Sequence, residues 1–332
     1  MKLAIVILNW NGLELLKEFL PSVVEFSSNH RIIVADNAST DGSVEWVKNT
    51  YSNVEVIVNQ ENLGYAGGYN AIIPQIDAEV LCLLNSDVAV TPNWCDFILT
   101  EFEQDLDLGA AQPVLMDYNN KERYEYAGAS GGFLDHLGYP YCRGRVFDYL
   151  ENDHGRYDNS IEIDWASGAA LFVRKKAFVE AGRFDEDYFA HQEEVDLCWR
   201  MRRLNYKIKV FPESKVYHLG GGTLSNLNSR KTFLNFRNSL FTIVKNDSRS
   251  HYWLIILLRL LLDGVAGFKF LFELKFKHFV AIIKAHISFY GQFNELIKKR
   301  RVLRNSRMSY VKNSGVTSIV LSYYISGKRH FF

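Results

Sequence analysis

Leu3-Ala4-Ile5-Val6-Ile7-Leu8 runs directly into Asn9-Trp10-Asn11-Gly12. Six apolar residues without alternation, half of them β-branched, read as a strand covered on both faces. A secretory segment needs roughly 7 to 15 apolar residues and a small-residue cleavage site, and this run has neither. Residues 31–35, 54–58 and 80–84 repeat the pattern. Between these runs, 13–26, 42–50 and 66–75 carry helical patterning. Strand and helix in strict alternation predict right-handed βαβ units, hence an α/β fold on a mostly parallel sheet flanked by helices.

Past residue 113 the period loosens. Residues 113–163 are rich in Gly, Tyr and Asp and read as loops with short antiparallel pieces laid over the sheet. Helical spacing returns at 175–182 and 193–204, and a strand follows at 207–210. The last hundred residues change character. Residues 253–272 hold 13 Leu, Ile, Phe or Val, but also Arg259, Asp263 and Lys269. Those apolar residues favour membrane insertion by roughly 4 to 8 kcal/mol, against roughly 8 to 10 kcal/mol for three central charges. Not all three charges are central, so the sum is near balance: a span stays open as an alternative, and a helix lying in the interface is the expectation. Residues 276–297 continue with aromatics and lysines, and Lys298-Lys299-Arg300-Arg301 follows. The alternative for this tail is a helical extension that packs on the rest of the chain or on a second copy in a homodimer.

A chain of 332 residues with 48% apolar and 23% charged residues is a folded globular protein. Its net charge of +0 hides two opposite halves. Residues 251–332 hold 14 Lys and Arg against 3 Asp and Glu, leaving 24 against 35 before them. The basic end points to an anionic partner such as a membrane surface, and the acidic remainder argues against nucleic acid. Cys82, Cys95, Cys142 and Cys198 form no CxxC pair and no zinc spacing, which suits a reducing cytoplasm.

Chemistry is expected beyond the carboxyl ends of the strands, where open parallel sheets bind ligands. Three polar clusters fall there: Asn9-Trp10-Asn11-Gly12, Asp36-Asn37-Ala38-Ser39-Thr40-Asp41-Gly42 and Asn85-Ser86-Asp87. Asp36 could accept a hydrogen bond from a uracil or thymine imide, or with Asp41 merely shape a turn and cap a helix. Asp87 could hold a hard divalent cation that grips phosphate oxygens. Asn62-Leu63-Gly64-Tyr65-Ala66-Gly67-Gly68-Tyr69-Asn70 lacks the dinucleotide GxGxxG spacing, so it is either a loop that approaches a ligand closely or a tight turn. In Glu193-Glu194-Val195-Asp196 the acids open a helix, as start-of-helix charge or as a general base. His218 precedes Leu219-Gly220-Gly221-Gly222-Thr223 and is either structural or part of a metal site.

Taken in order, ILNWNG, VADNASTDGS, NLGYAGGYN, LLNSDV, WASGAALFVRKKAF, GRFDEDYF, EEVDLCWR, HLGGGT and FRNSLF resemble the family 2 glycosyltransferases, close to bacterial rhamnosyltransferase-like members. The resemblance covers about residues 1–247. It implies a GT-A fold, a nucleotide-diphosphate sugar donor (UDP- or dTDP-linked), a divalent ion (Mn2+ or Mg2+) and inversion at the anomeric carbon. By matching positions, Asp36 resembles the nucleobase-binding Asp, Asp87 the metal-binding Asp, His218 a histidine of the metal and diphosphate site, and Glu194 the base. The same resemblance implies donor contacts from Asn9, Asn37, Asp41, Asn62, Gly64, Gly68, Asn70, Asn85 and Ser86. Ser167, Gly168 and Glu193 are implied to meet the acceptor or the donor sugar. Two positions depart from the family pattern: Asn85 replaces the first acid of its DxD motif, and Glu193-Glu194 replaces a Glu-Asp pair.

The implied enzyme acts on a glycan or lipid-linked acceptor in cell-surface polysaccharide synthesis. It divides into a catalytic domain over 1–247, with a nucleotide-sugar half to about 110 and an acceptor half beyond, and a membrane-associating extension over 248–332. It is expected in the cytoplasm, peripheral on the inner membrane face. The rival readings are a non-catalytic nucleotide-sugar-binding module of the same fold and a sugar-phosphate nucleotidyltransferase. The second would place a glycine- and Arg/Lys-rich loop after the first strand, where Asn9-Trp10-Asn11-Gly12 stands instead.

Overall fold

Strands β1 (Leu3–Asn9), β2 (Arg31–Asp36), β3 (Val54–Val58) and β4 (Val80–Asn85) alternate with helices α1 (Leu13–Phe26), α2 (Ser43–Thr50) and α3 (Gly64–Ile72). The computed structural model describes residues 1–220, 228–305 and 316–331, so Gly221-Gly222-Thr223 lie outside the described residues. These four strands pair in parallel, with β1 between β2 and β4. Successive side chains part to opposite faces. Ile5, Ile7, Cys82 and Leu84 meet Leu16 and Leu20 of α1, while Ala4, Val6, Leu81 and Leu83 meet Ala66, Tyr69 and Ile72 of α3. Each Leu or Ile removed from water contributes roughly 1.5–3 kcal/mol. With helices on both faces, unbroken apolar runs are what the central strands require.

The chain continues through β5 (Val88–Val90), α4 (Asp96–Gln104), β6 (Leu108–Asp117), β7 (Gly132–Leu134), β8 (Pro140–Cys142), β9 (Arg145–Val146), β10 (Tyr149–Leu150) and β11 (Ile161–Glu162). Then come β12 (Ala170–Arg174), α5 (Lys175–Glu180), α6 (Glu193–Arg203) and β13 (Lys207–His218). The main sheet runs β11-β13-β6-β12-β4-β1-β2-β3, with β5 on β13, and β7 to β10 form a small antiparallel sheet. The parallel core is as the sequence reads, but β12 lies antiparallel to both β4 and β6, so the sheet as a whole is mixed. β12 passes unseen in the sequence because Ala170–Arg174 runs straight into α5 with no turn residue between them.

β6 extends through Pro113, where the sequence pattern breaks. Pro113 stands opposite Phe211, next to the register shift between Phe211 and Lys215. A proline fits a sheet at such an irregularity because no ladder hydrogen bond is asked of it.

Helices α7 (Ser229–Asn246), α8 (Tyr252–Phe272), α9 (Phe276–Asn305) and α10 (Ile319–Tyr324) follow. Leu240, Phe241, Val244, Ile255, Phe289 and Leu296 join Tyr188 in a third apolar cluster. The opposite charges of the two ends meet here. Lys299 Nζ lies 2.6 Å from Asp185 and 2.7 Å from Asp187, and buried Arg300 donates to the Val244 carbonyl at 2.8 Å. Part of the tail's basic charge is thus spent inside the molecule.

α8 is amphipathic in the unusual sense. Arg259 and Asp263, the charges that weigh against membrane insertion in the sequence, are buried. Arg259 donates to the Leu137 carbonyl and Ser239 Oγ, and Asp263 meets His286 Nε2 at 3.1 Å. Trp253, Leu257, Leu261, Val265, Phe268 and Phe272 of the same helix face outward. Among the described residues, no helix is long and apolar enough to cross a membrane.

Candidate active site

The order β3-β2-β1-β4 places a topological switch point between β1 and β4, and the crevice there opens at the carboxyl ends of the strands. Register sets Asn9 beside Asp36, and Leu8 beside Asn85. The three polar strand ends therefore converge.

Asp36 is fully buried, its Oδ1 accepting from Asn9 Nδ2 at 2.9 Å and its Oδ2 from the Ser39 amide at 2.8 Å. Asn37 donates to the Gly64 carbonyl at 2.9 Å and accepts from Asn59 at 2.9 Å, which ties the second strand end to α3. Asn62 Oδ1 accepts the Gly64 amide at 2.9 Å. Gly68 is required by contact, since a Cβ there would meet Asn37 Nδ2 at 2.8 Å. Two of the sequence candidates are engaged in holding loops. Asp41 accepts from the Leu13 and Ser43 amides, and despite partial burial these bonds hold its carboxyl below the usual range. Asn70 spends its amide on the Phe184 backbone and on Glu186.

β5 pairs antiparallel with the end of β13, placing Val88 opposite His218. Asp87 Oδ1 thereby reaches His218 Nε2 at 3.1 Å, across 131 residues of sequence. The sequence reading missed the third member. Glu125 Oε2 lies 3.3 Å from His218 Nδ1, close enough for an ion pair although not aligned as a hydrogen bond. Burial works against a charged imidazole, but Glu125 and Asp87 together push His218 up to about 10. Glu125 stands in the irregular 113–163 stretch, with no periodic signal to single it out.

These side chains suit a hard cation. Two neighbouring ligands of an octahedral ion at about 2.0–2.1 Å stand about 3 Å apart, as Asp87 and His218 do. Glu125 on the other ring nitrogen is then the carboxylate partner that orients a metal-bound histidine. A tighter trio of possible ligands, His30, Cys95 and Asp96, includes a thiol that burial and Asp96 push up to about 12. A thiol so reluctant to ionise is a poor ligand.

Glu193 and Glu194 open α6. One oxygen of each is buried without a hydrogen-bond partner among the described residues. Burial pushes Glu194 up to about 7, and burial together with the Glu194 charge pushes Glu193 well above its usual range. Burial pushes the Cys142 thiol up, and after the opposing Arg145 both Glu125 and Glu194 add to that push. The Gly168 carbonyl accepts from Tyr65 OH at 2.8 Å, while Ser167 is buried and its hydroxyl accepts from the Ala169 amide.

The approach to the glutamates is strained. Phe189, His191 and Gln192 have φ of 63°, 68° and 73°, a left-handed region that side chains disfavour. α7 over-determines this turn. Asn238 Nδ2 donates to the carbonyls of Tyr188, Ala190 and His191 at 3.0, 2.9 and 2.7 Å, and Arg237 donates to Asp187 and Tyr188. Beneath it, buried Asp196 pairs with Arg200 at 2.6 Å and Lys245 at 2.9 Å; burial opposes its charge, but these cations hold its carboxyl well below the usual range. Asn238→Ala should cost about 1–3 kcal/mol, because buried carbonyls lose their donor. Thermal unfolding reads the loss, and an unchanged melting temperature would refute this role for Asn238.

At this switch point an imidazole stands between two carboxylates, and two glutamates open α6 nearby in the fold. The family model for glycosyl transferase family 2 matches residues 4–169, and the chain belongs to that family. An N-acetylglucosaminyl-diphospho-decaprenol L-rhamnosyltransferase of Mycobacterium tuberculosis is 28% identical over 202 residues, 56% of this chain and 66% of the relative. The match thus spans slightly under two thirds of that relative's length. A low-salt glycan biosynthesis hexosyltransferase, Agl10 of Haloferax volcanii, is 23% identical over 295 residues, covering 85% of this chain and 88% of the relative. Among solved structures, the mannosyltransferase PcManGT of Pyrobaculum calidifontis, in complex with GDP-Man and Mn2+, gives a TM-score of 0.55 at 13% identity over 87% of both chains. S. aureus TarS 1-349 with UDP-GlcNAc gives 0.54 at 14% identity, covering 92% of this chain and 91% of that one. The fold is GT-A.

Proposed function

We propose that this chain is an inverting glycosyltransferase that moves a sugar from a UDP- or dTDP-sugar to a hydroxyl of a glycan or lipid-linked acceptor in cell-surface polysaccharide synthesis. The observation that carries the reading is the Glu194 carboxylate: half-buried, with one oxygen buried and unpartnered among the described residues, and poised at about 7. A general base works best near the operating pH. Family membership and the relatives' printed activities support the same class of reaction.

In this reading Asp36 and Asn9 receive the nucleobase end of the donor, and Gly64, Gly68 and Asn37 shape the loop beside it. Asp87 and His218 would hold a divalent cation, Mn2+ or Mg2+, with Glu125 fixing the imidazole. When bound, such an ion supplies positive charge to the departing diphosphate. Glu194 removes the proton from the acceptor hydroxyl as that oxygen attacks the anomeric carbon from the face opposite the leaving group. One displacement of this kind inverts the centre without a covalent sugar–enzyme adduct. Ser167, Gly168 and Glu193 frame the sugar.

Residues 1–247 form the catalytic domain and 248–332 an extension that rests on the inner membrane face. The outward apolar face of α8 supports that placement, since water-facing helices normally turn their charges out. A panel of nucleotide sugars, screened with and without manganese, tests the reading. Turnover of one donor that depends on the ion is expected. Nucleotide binding with no turnover of any donor would instead establish a binding module.

A further inference from the structure

A groove of about 340 Å³ opens between the start of α7 and the first half of α9. Arg230, Lys277 and Lys284 line it, together with Phe233, Val280 and Ala281. No described carboxylate lies within ion-pair distance of these three cations, whereas Lys298 and Lys299, further along α9, are each paired. Three unpaired cations converging on one groove repel each other, a cost that an anion would remove.

The surroundings say what kind of anion. Val280 is exposed, as are Ile283 and Ile287 further along the same helix, so the groove opens onto outward apolar surface. At the other end, the Arg230 guanidinium sits 4.8 Å over the Phe189 ring. The Phe189 carbonyl accepts the Tyr65 amide at 2.7 Å, and its chain leads in five residues to Glu194. One end of the groove thus adjoins apolar surface and the other adjoins the turn that carries the glutamates.

We infer that this groove binds the phosphate groups of a lipid-linked acceptor, a prenyl diphosphate, with its hydrocarbon laid along the outward faces of α8 and α9. The inference rests on the proposed glycosyl transfer to such an acceptor and gives its anchor a place. Two adjacent phosphates carry enough charge to engage three cations, and the sugar beyond them points toward Glu194. A bulk anionic phospholipid shares the chemistry but has no sugar to present. It is the competing source that the experiment must separate.

The full chain is sedimented with phosphatidylcholine vesicles doped either with undecaprenyl diphosphate or with phosphatidylglycerol at equal surface charge. The native protein is expected to prefer the diphosphate vesicles at least tenfold, and inorganic pyrophosphate should erode that preference. With about 1 kcal/mol for each cation near anionic lipid, each neutralised side chain weakens binding about fivefold. The triple variant Arg230→Gln, Lys277→Gln, Lys284→Gln should therefore lose about a hundredfold while keeping its nucleotide affinity. A charge-matched control, Lys298→Gln with Arg301→Gln and Arg304→Gln, should keep the preference. If the triple variant does not fold, exposed Lys284→Gln alone and pyrophosphate competition on the native protein still decide the matter. Equal binding of the native protein to both vesicles overturns the inference, as does a triple variant that retains the preference. A diphosphate preference without any nucleotide-sugar turnover would leave the groove standing and sink the transferase reading. Turnover on a soluble acceptor without that preference would do the reverse.

Discussion

Glu194→Gln should lower kcat by roughly 10²- to 10⁴-fold, the usual cost of losing a positioned general base. Gln keeps the shape of Glu and both hydrogen-bonding functions but cannot take the proton. Donor affinity should therefore persist, and calorimetric titration with the nucleotide sugar would read it separately from turnover. The pH profile supplies an independent check. Glu194 acts when deprotonated and is pushed up to about 7 by burial, so kcat in the native enzyme should fall as pH drops through about 7. That limb should vanish in the variant. Glu193→Gln should be mild, because burial and the Glu194 charge hold Glu193 well above its usual range and so favour its neutral form. A larger loss from Glu193→Gln than from Glu194→Gln would move the base to the neighbouring residue.

Asp87→Asn should remove transfer by at least about 10³-fold, since stabilising the departing diphosphate is a matter of several kcal/mol. Here donor affinity should fall together with turnover, and its dependence on added manganese should disappear. The amide preserves the volume of a nearly buried side chain, and His218 keeps its other carboxylate, Glu125, at 3.3 Å. The variant should stay folded by circular dichroism. Near-native turnover would refute the metal-holding role. Manganese-dependent donor binding that survives in Asp87→Asn but fails in Glu125→Gln would place the ion on the other side of the imidazole.

Much of the candidate site is legible in the sequence because its residues sit where local chain geometry changes. Asn9, Asp36 and Asn85 each end an unbroken apolar run, and a buried strand leaves a parallel sheet at its carboxyl end wherever the rest of the chain goes. The acids of α6 were legible for the same reason, as a polar cluster before helical spacing. Glu125 was not legible. It lies in a stretch without period, and only the pairing of β13 with β5 and β6 brings His218 between it and Asp87.

By itself, then, the sequence determined the βαβ alternation, the parallel core and the polar strand ends, because hydrophobic period and strand termini are properties of a few neighbouring residues. Tertiary structure alone decided how far the sheet is mixed, since nothing within Ala170–Arg174 specifies the direction of its partners. It decided that the strained turn at Phe189 to Gln192 persists, because the donors holding it come from Asn238 and Arg237 on a distant helix. It also reversed the meaning of Arg259 and Asp263. Counted along the chain they tell against an apolar helix; in the fold they face Ser239, Leu137 and His286, and the side of α8 left outward is the apolar one. A charge count along the sequence carries no direction, and the side a helix turns inward is set by the partners it packs against.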